Sequence, residues 1–205
     1  MNQKSQHLPL VSLIGDSLEN FYQLGLKDRE NHSEILNHLN SLIKTPFDKV
    51  DLTVRHLAKA LLNQGFTHLP EFQNKMKAYS EGLAIAQDEL TLSLLVPEIV
   101  SFLSKWVPGI PTSLLGCSSY FAWDDKTNSA IHGRVLDFPL QGSFDKNERA
   151  IWSKLDNGPA TLSFSSVGFP YPSITAMTEY GVSFALHQKF DDVFNTKGTP
   201  IFELI

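Results

Sequence analysis

One cysteine, Cys117, stands in the 205 residues. A single thiol excludes an internal disulfide and any zinc site built from several cysteines. Two uses remain for it: a small buried hydrophobe, or a nucleophile. The residues that follow bear on the choice. Cys117-Ser118-Ser119-Tyr120-Phe121-Ala122-Trp123 is aromatic-rich and compatible with a strand, Asp124 to Asn128 is a polar turn, and Ser129 to Phe138 is a second apolar run. The simplest element is a β-hairpin. With its turn centred near Lys126, antiparallel pairing puts Cys117 opposite about residue 135, with Arg134 and Asp137 beside it and His132 near residue 120. One hairpin then gathers a thiol, a guanidinium and a carboxylate. A positive group beside sulfur favours thiolate, and a carboxylate can hold an ammonium group. The plainer reading of Arg134 and Asp137 is a structural ion pair. What the set lacks is a base, because no histidine stands across from Cys117.

Other chemistries find little support. The seven histidines are scattered without an HExxH pair, so no metal site is expected, and no cofactor is implied. Asp124-Asp125-Lys126-Thr127-Asn128 opens like a calcium loop but has neither the glycine at its sixth place nor the acid at its twelfth, and reads as a turn. Ser41-Leu42-Ile43-Lys44 matches a Ser-x-x-Lys string inside an expected helix and reads as coincidence. With 17 Lys+Arg against 22 Asp+Glu, a net charge of −5 provides no basic field for nucleic acid or anionic lipid. The apolar stretches are short and interrupted, and the first twenty residues lack a signal peptide's layout. The expectation is a cytoplasmic protein with no membrane span.

The elements that must position the hairpin fall into two halves. Before it, the chain reads as helices. Asp16 with Glu19 three residues on has the form of a capping box, and apolar residues recur at Leu18, Phe21, Leu24, Ile35, Leu36, Leu39, Leu42 and Ile43. A helix is expected over 51–63, another from Pro70, and a fourth from about Asp88 to a kink or stop at Pro97, with amphipathic residues continuing to Trp106. The run 107–116 holds two prolines and two glycines in ten residues and is the best boundary in the chain. After the hairpin come strand candidates at 160–167, 173–178 and 182–189, and a helix start at Thr199-Pro200. The fold class expected is α+β, divided into residues 1–116 and 117–205.

Gly116-Cys117-Ser118-Ser119, followed by His132-Gly133-Arg134-Val135-Leu136-Asp137-Phe138, resembles the start of the mature catalytic chain in the N-terminal nucleophile amidases. The likeness is to the linear-amide branch with acid ceramidase, N-acylethanolamine acid amidase, choloylglycine hydrolases and penicillin acyltransferases, whose Arg and Asp follow in a G-R-x-x-D-[FW] motif. Tyr180 to Phe190 is similar to the strand ending in an Asn-Glu-Arg-Phe-like stretch in the acid ceramidase type, and Tyr22-Gln23-Leu24-Gly25 and Ser80-Glu81-Gly82-Leu83-Ala84 are similar to its helical pro-segment. The resemblance spans most of the chain, and the block from Cys117 to Phe138 is its most specific part.

The resemblance implies a helical pro-segment followed by the first part of an αββα sandwich. It implies that Cys117 cuts the Gly116–Cys117 bond, and that the freed α-amine, with an ordinary pKa of about 7.7–8.0, then serves as base for its own thiol. Asp137 would hold that amine, Arg134 would position the nucleophile, and Gln188 or the backbone near Arg134 would line the oxyanion pocket. The substrate would be an N-acyl amide whose apolar chain meets Phe121, Trp123, Phe138, Phe169 and Tyr171, or those aromatics are core. Gln188 stands where the family usually has Asn or Asp. The family's sandwich runs on past the point matching Ile205 and includes a further Asn, so an incomplete catalytic domain is expected. An acyltransferase using the same site, and a catalytically incomplete binding or structural module, are the alternatives. An unfilled sheet edge would favour homo-oligomers.

Overall fold

A computed structural model describes residues 8–44, 69–103, 116–137, 142–170 and 175–187, with a few positions between 52 and 59. The expected helix over 51–63 lies mostly outside the described residues, as does the one at Thr199-Pro200. The architecture is α+β.

The helices form where apolar spacing and caps coincide. α1 (Leu18–Asp28) is capped by Ser17, whose Oγ accepts from the Glu19 amide at 3.2 Å, so the cap is Ser17 and not Asp16. α2 (His32–Ser41) buries Ile35, Leu36 and Leu39 on one face. α3 (Pro70–Leu83) starts with proline in its first turn, where the missing N–H costs nothing, and stops at Ala84 in the left-handed region. The expected fourth helix is two: α4 (Gln87–Leu94) and α5 (Val96–Leu103), with Pro97 in the first turn of α5 and no kink inside a longer helix.

The first half is not wholly helical. The apolar run before α1 forms β1 (Leu10–Ile14), which lies parallel to β4 (Glu148–Lys154) with Leu10 opposite Ala150. From β4 the sheet continues antiparallel through β5 (Ala160–Ser166), β6 (Thr175–Thr178) and β7 (Ser183–Ala185), giving the order β1-β4-β5-β6-β7. A separate two-stranded sheet is the hairpin of β2 (Gly116–Asp124) and β3 (Ser129–Asp137). A short helix, α6 (Ser143–Lys146), leads into β4.

The core is shared between layers. Phe21, Leu24, Ile35, Leu39, Met76, Tyr79, Leu83 and Leu90 from the helices form one cluster with Leu13 of β1, Ile151 of β4 and Phe169. Beneath it lies a buried polar knot. Asp28, at the end of α1, accepts from Arg149 Nη1 and from the Tyr79 hydroxyl, and Arg149 Nη2 donates to the Phe169 carbonyl at 2.9 Å. The Gly168 amide donates to the Tyr79 oxygen at 3.1 Å. Burial, reinforced by Asp28, holds the Tyr79 hydroxyl well above its ordinary pKa, so the phenol stays protonated and keeps donating.

α1 and α3 cross backbone to backbone at two glycines. A Cβ on Gly82 would lie 2.3 Å from the Tyr22 carbonyl and 2.8 Å from the Gly25 Cα; one on Gly25 would lie 2.4 Å from the Tyr79 carbonyl. Alanine at an ordinary helical glycine gains up to about 1 kcal/mol of helix propensity. Here both neighbours are backbone and cannot rotate away, and overpacking of this kind costs about 1–3 kcal/mol. Gly82→Ala is therefore expected to lower the urea midpoint of unfolding in spite of its better propensity; an unchanged or higher midpoint would show that the helices separate freely.

Candidate active site

The hairpin carries the chemistry, and its register decides which side chains meet. The observed pairs are Gly116 with Asp137, Cys117 with Leu136, Ser119 with Arg134, Phe121 with His132 and Trp123 with Ala130. This is one residue away from the register expected with Cys117 opposite about residue 135. The cause is the turn. Asp124 accepts from the Lys126 amide at 3.0 Å and from Thr127 Oγ1 at 2.8 Å, and Asn128 takes a positive φ of 50°, so the loop is centred beyond Lys126. Directly opposed residues share a face, and a one-residue slip exchanges the faces of one strand against the other. The observed register therefore gives Cys117, Ser119, Phe121 and Trp123 the same face as Leu136, Arg134 and His132.

On that face Arg134 Nη2 donates to Cys117 Sγ at 3.2 Å and to the Leu186 carbonyl, just past β7, at 3.1 Å. The thiol is free and partly exposed. Beside it, Ser119 Oγ and His187 Nε2 are 2.7 Å apart. Further along, His132 Nδ1 meets Ser183 Oγ at 3.0 Å, and the imidazole stacks on Phe121 with ring centroids 4.2 Å apart. Three polar contacts thus fasten the hairpin to β7 and its continuation. Arg134 Nε and His132 Nε2 are buried and unpartnered. On the opposite face Gly133 lies under the ring of its cross-strand partner Tyr120; a Cβ there would fall 1.9 Å from the ring, so a larger residue at this position of the G-R-x-x-D string would make the exposed Tyr120 ring swing aside.

Cys117 and Arg134 meet, as the residue types suggested, but through a register one residue from the expected one. Asp137 stands across from Gly116, the residue before the thiol, and no more than this backbone position is described for it. Phe121 and Trp123 share the thiol's face but are open to solvent, 73% and 60% exposed. Phe169 belongs to the core, packed near Phe144, and not to the thiol's surroundings. Gln188, Phe138 and Tyr171 lie outside the described residues. Sequence reasoning found no histidine for the site, yet His187 is there. Its only signal was a place in the stretch 182–189, because a side-chain contact across about seventy residues of sequence has no local signature. Among the described residues no three His, Cys, Asp or Glu side chains are grouped as a metal would require.

Compared with protein-family models and with curated proteins, the chain matches none. The accessibility of the thiol is open to direct measurement. Iodoacetamide is expected to add once to the native protein, at Cys117, as read by intact mass and peptide mapping. An adduct that forms only after urea is added would contradict the partly exposed position.

Proposed function

We propose that this chain is a self-processing cysteine amidase of the N-terminal nucleophile type, acting on linear N-acyl amides with lipid-like acyl chains. The observation that carries the reading is the contact of Arg134 with the sulfur of the chain's one cysteine, in a register that sets Asp137 across from Gly116.

The reaction has two stages. In the first, Cys117 Sγ bonds to the Gly116 carbonyl carbon, the C–N bond to Cys117 breaks, and the acyl group passes from nitrogen to sulfur. Water then hydrolyses that thioester, leaving a carboxylate on Gly116, a free thiol and a free α-amine. In the second stage the amine takes the thiol proton as sulfur attacks the substrate carbonyl, and returns it to the departing amine. A second water releases the acyl chain as a carboxylic acid. Arg134, held by the Leu186 carbonyl, fixes the sulfur during both attacks. Asp137 is assigned to hold the α-ammonium, and Gln188 to the oxyanion. Phe121 and Trp123, exposed on the thiol's face, offer apolar surface to the acyl chain. An acceptor amine in place of the second water would make the same site an acyltransferase.

One observation favours a second reading. Among the described residues β7 has three residues and no strand on its outer side, and an open edge of that kind suits a module completed by another chain, including a second copy. A non-catalytic remnant would bind through it without cutting itself.

The test is autoprocessing. Purified protein is expected to yield one fragment ending at Gly116 and another beginning at Cys117 on a denaturing gel with mass spectrometry, and Cys117→Ala to yield neither. A chain that stays whole through long incubation at mildly acidic and neutral pH would overturn the amidase reading and leave the binding module. Processed protein is then expected to release fluorophore from N-acyl amides.

A further inference from the structure

Before cleavage, Cys117 lacks the group that would later serve as its base. Its nitrogen is bound in the peptide with Gly116, and an amide nitrogen has no basic lone pair to offer. The thiol proton must therefore go elsewhere in the first reaction of the chain's life. Two histidines stand on the hairpin's active face. His132 is enclosed: one ring nitrogen is engaged by Ser183 Oγ, the ring is covered by Phe121, and Nε2 is buried. His187 is exposed, and its Nε2 is 2.7 Å from Ser119 Oγ.

Ser119 shares its strand face with Cys117. Two residues of β-strand advance about 6.6 Å, a gap that a chain of two waters spans between short side chains pointing the same way. The far end of the path is fixed as well, since Arg134 Nη2 touches both Cys117 Sγ and the carbonyl of Leu186, the residue before His187. The guanidinium thus holds the thiol and the backbone next to His187, and Ser119 is the direct cross-strand partner of Arg134.

We propose that Ser119 and His187 form a proton relay for the self-cleaving step. The inference rests on the amidase reading above and adds to it the group that lets an unprocessed chain start. The relay uses the arrangement in which the Ser119 hydroxyl donates to His187 Nε2. As sulfur bonds to the Gly116 carbonyl carbon, the thiol proton passes through water to Ser119 Oγ, and the Ser119 proton passes to Nε2. When the Gly116–Cys117 C–N bond breaks, the imidazolium returns a proton along the same path to the Cys117 nitrogen. The products are a thioester and a free amine; water then opens the thioester. Protons balance, and one water is consumed. His187 acts through Ser119 and is a positioning and relay residue, since it does not touch the reacting atoms.

The experiment measures the rate of fragment formation by the full chain, by His187→Ala with and without added imidazole, and by His187→Gln, which can keep a hydrogen bond to Ser119 but cannot carry the proton. General acid–base catalysis is worth about 10²–10⁴-fold, so both variants are expected to cleave at least about 100-fold more slowly, and free imidazole to restore much of the His187→Ala rate. A structural role would not be restored by imidazole. A His187→Ala chain that cuts itself at the unsubstituted rate would overturn the relay and leave the amidase reading standing. So would a slow His187→Ala that imidazole does not help, or a His187→Gln that cuts normally. An unsubstituted chain that never cuts would overturn the amidase reading first, and the relay with it.

Discussion

The ion pair of Asp28 and Arg149 is where the helical layer and the sheet are joined. Its side chains are 3% and 4% exposed. Taking two such charges out of water costs several kcal/mol per ion, and their attraction offsets that only when the remaining hydrogen-bonding positions are filled. Here most are: Asp28 receives Arg149 and Tyr79, and Arg149 also reaches the Phe169 carbonyl. Removing one partner of a buried pair typically costs about 3–5 kcal/mol, a large part of the 5–15 kcal/mol that holds an ordinary domain together. The pair is therefore less a source of stability than a condition on the fold. Once α1 buries its acidic end, a cation must meet it there, and β4 supplies Arg149.

That condition propagates to the site. Arg149 fixes β4, β4 carries β1 on one side and β5 on the other, and the sheet steps through β6 to β7. The hairpin is fastened to β7 and its continuation by the contacts of His132, Arg134 and Ser119. Single hydrogen bonds of this sort contribute about 0.5–1.5 kcal/mol each, far less than the apolar core behind the sheet. The thiol thus stands at the lightly held end of a firmly held frame, which is where segments that must rearrange in a reaction are generally found.

How legible this was in the sequence varied with the range of the interaction. Pro70 opening a helix, the hairpin after the Pro/Gly-rich run, and the strands near 160–167 and 173–178 all rest on local spacing, and all are present. β4 escaped because Arg149, Ala150, Ile151 and Ser153 are all buried, which erases the alternation that marks a strand. β1 escaped because five residues of apolar sequence acquire strand geometry only from a partner about 140 positions away. At the site, the Cys117–Arg134 neighbourhood was legible from residue type and spacing, but the register that turns the guanidinium to the sulfur was not. His187 was not, because its relation to Ser119 depends on how the last strand leans on the hairpin.

The register of the hairpin links these two levels. With Cys117 opposite Val135, the thiol would share its face with Gly133 and Val135, and Arg134 would project from the other side. The turn set by Asp124, Thr127 and Asn128 moves the pairing by one position and brings the guanidinium to the sulfur. The same shift sets Asp137 across from Gly116 and not from Cys117 itself. On the proposed reading this asymmetry is useful. While the peptide is whole, Gly116 occupies the place opposite Asp137; once the bond is cut and Gly116 leaves, that place adjoins a new α-ammonium, and the strand position opposite it is free for the charge the reaction has just created. A single register then serves two successive states, with proton transfer passing from the His187 side in the first to the amine beside Asp137 in the second.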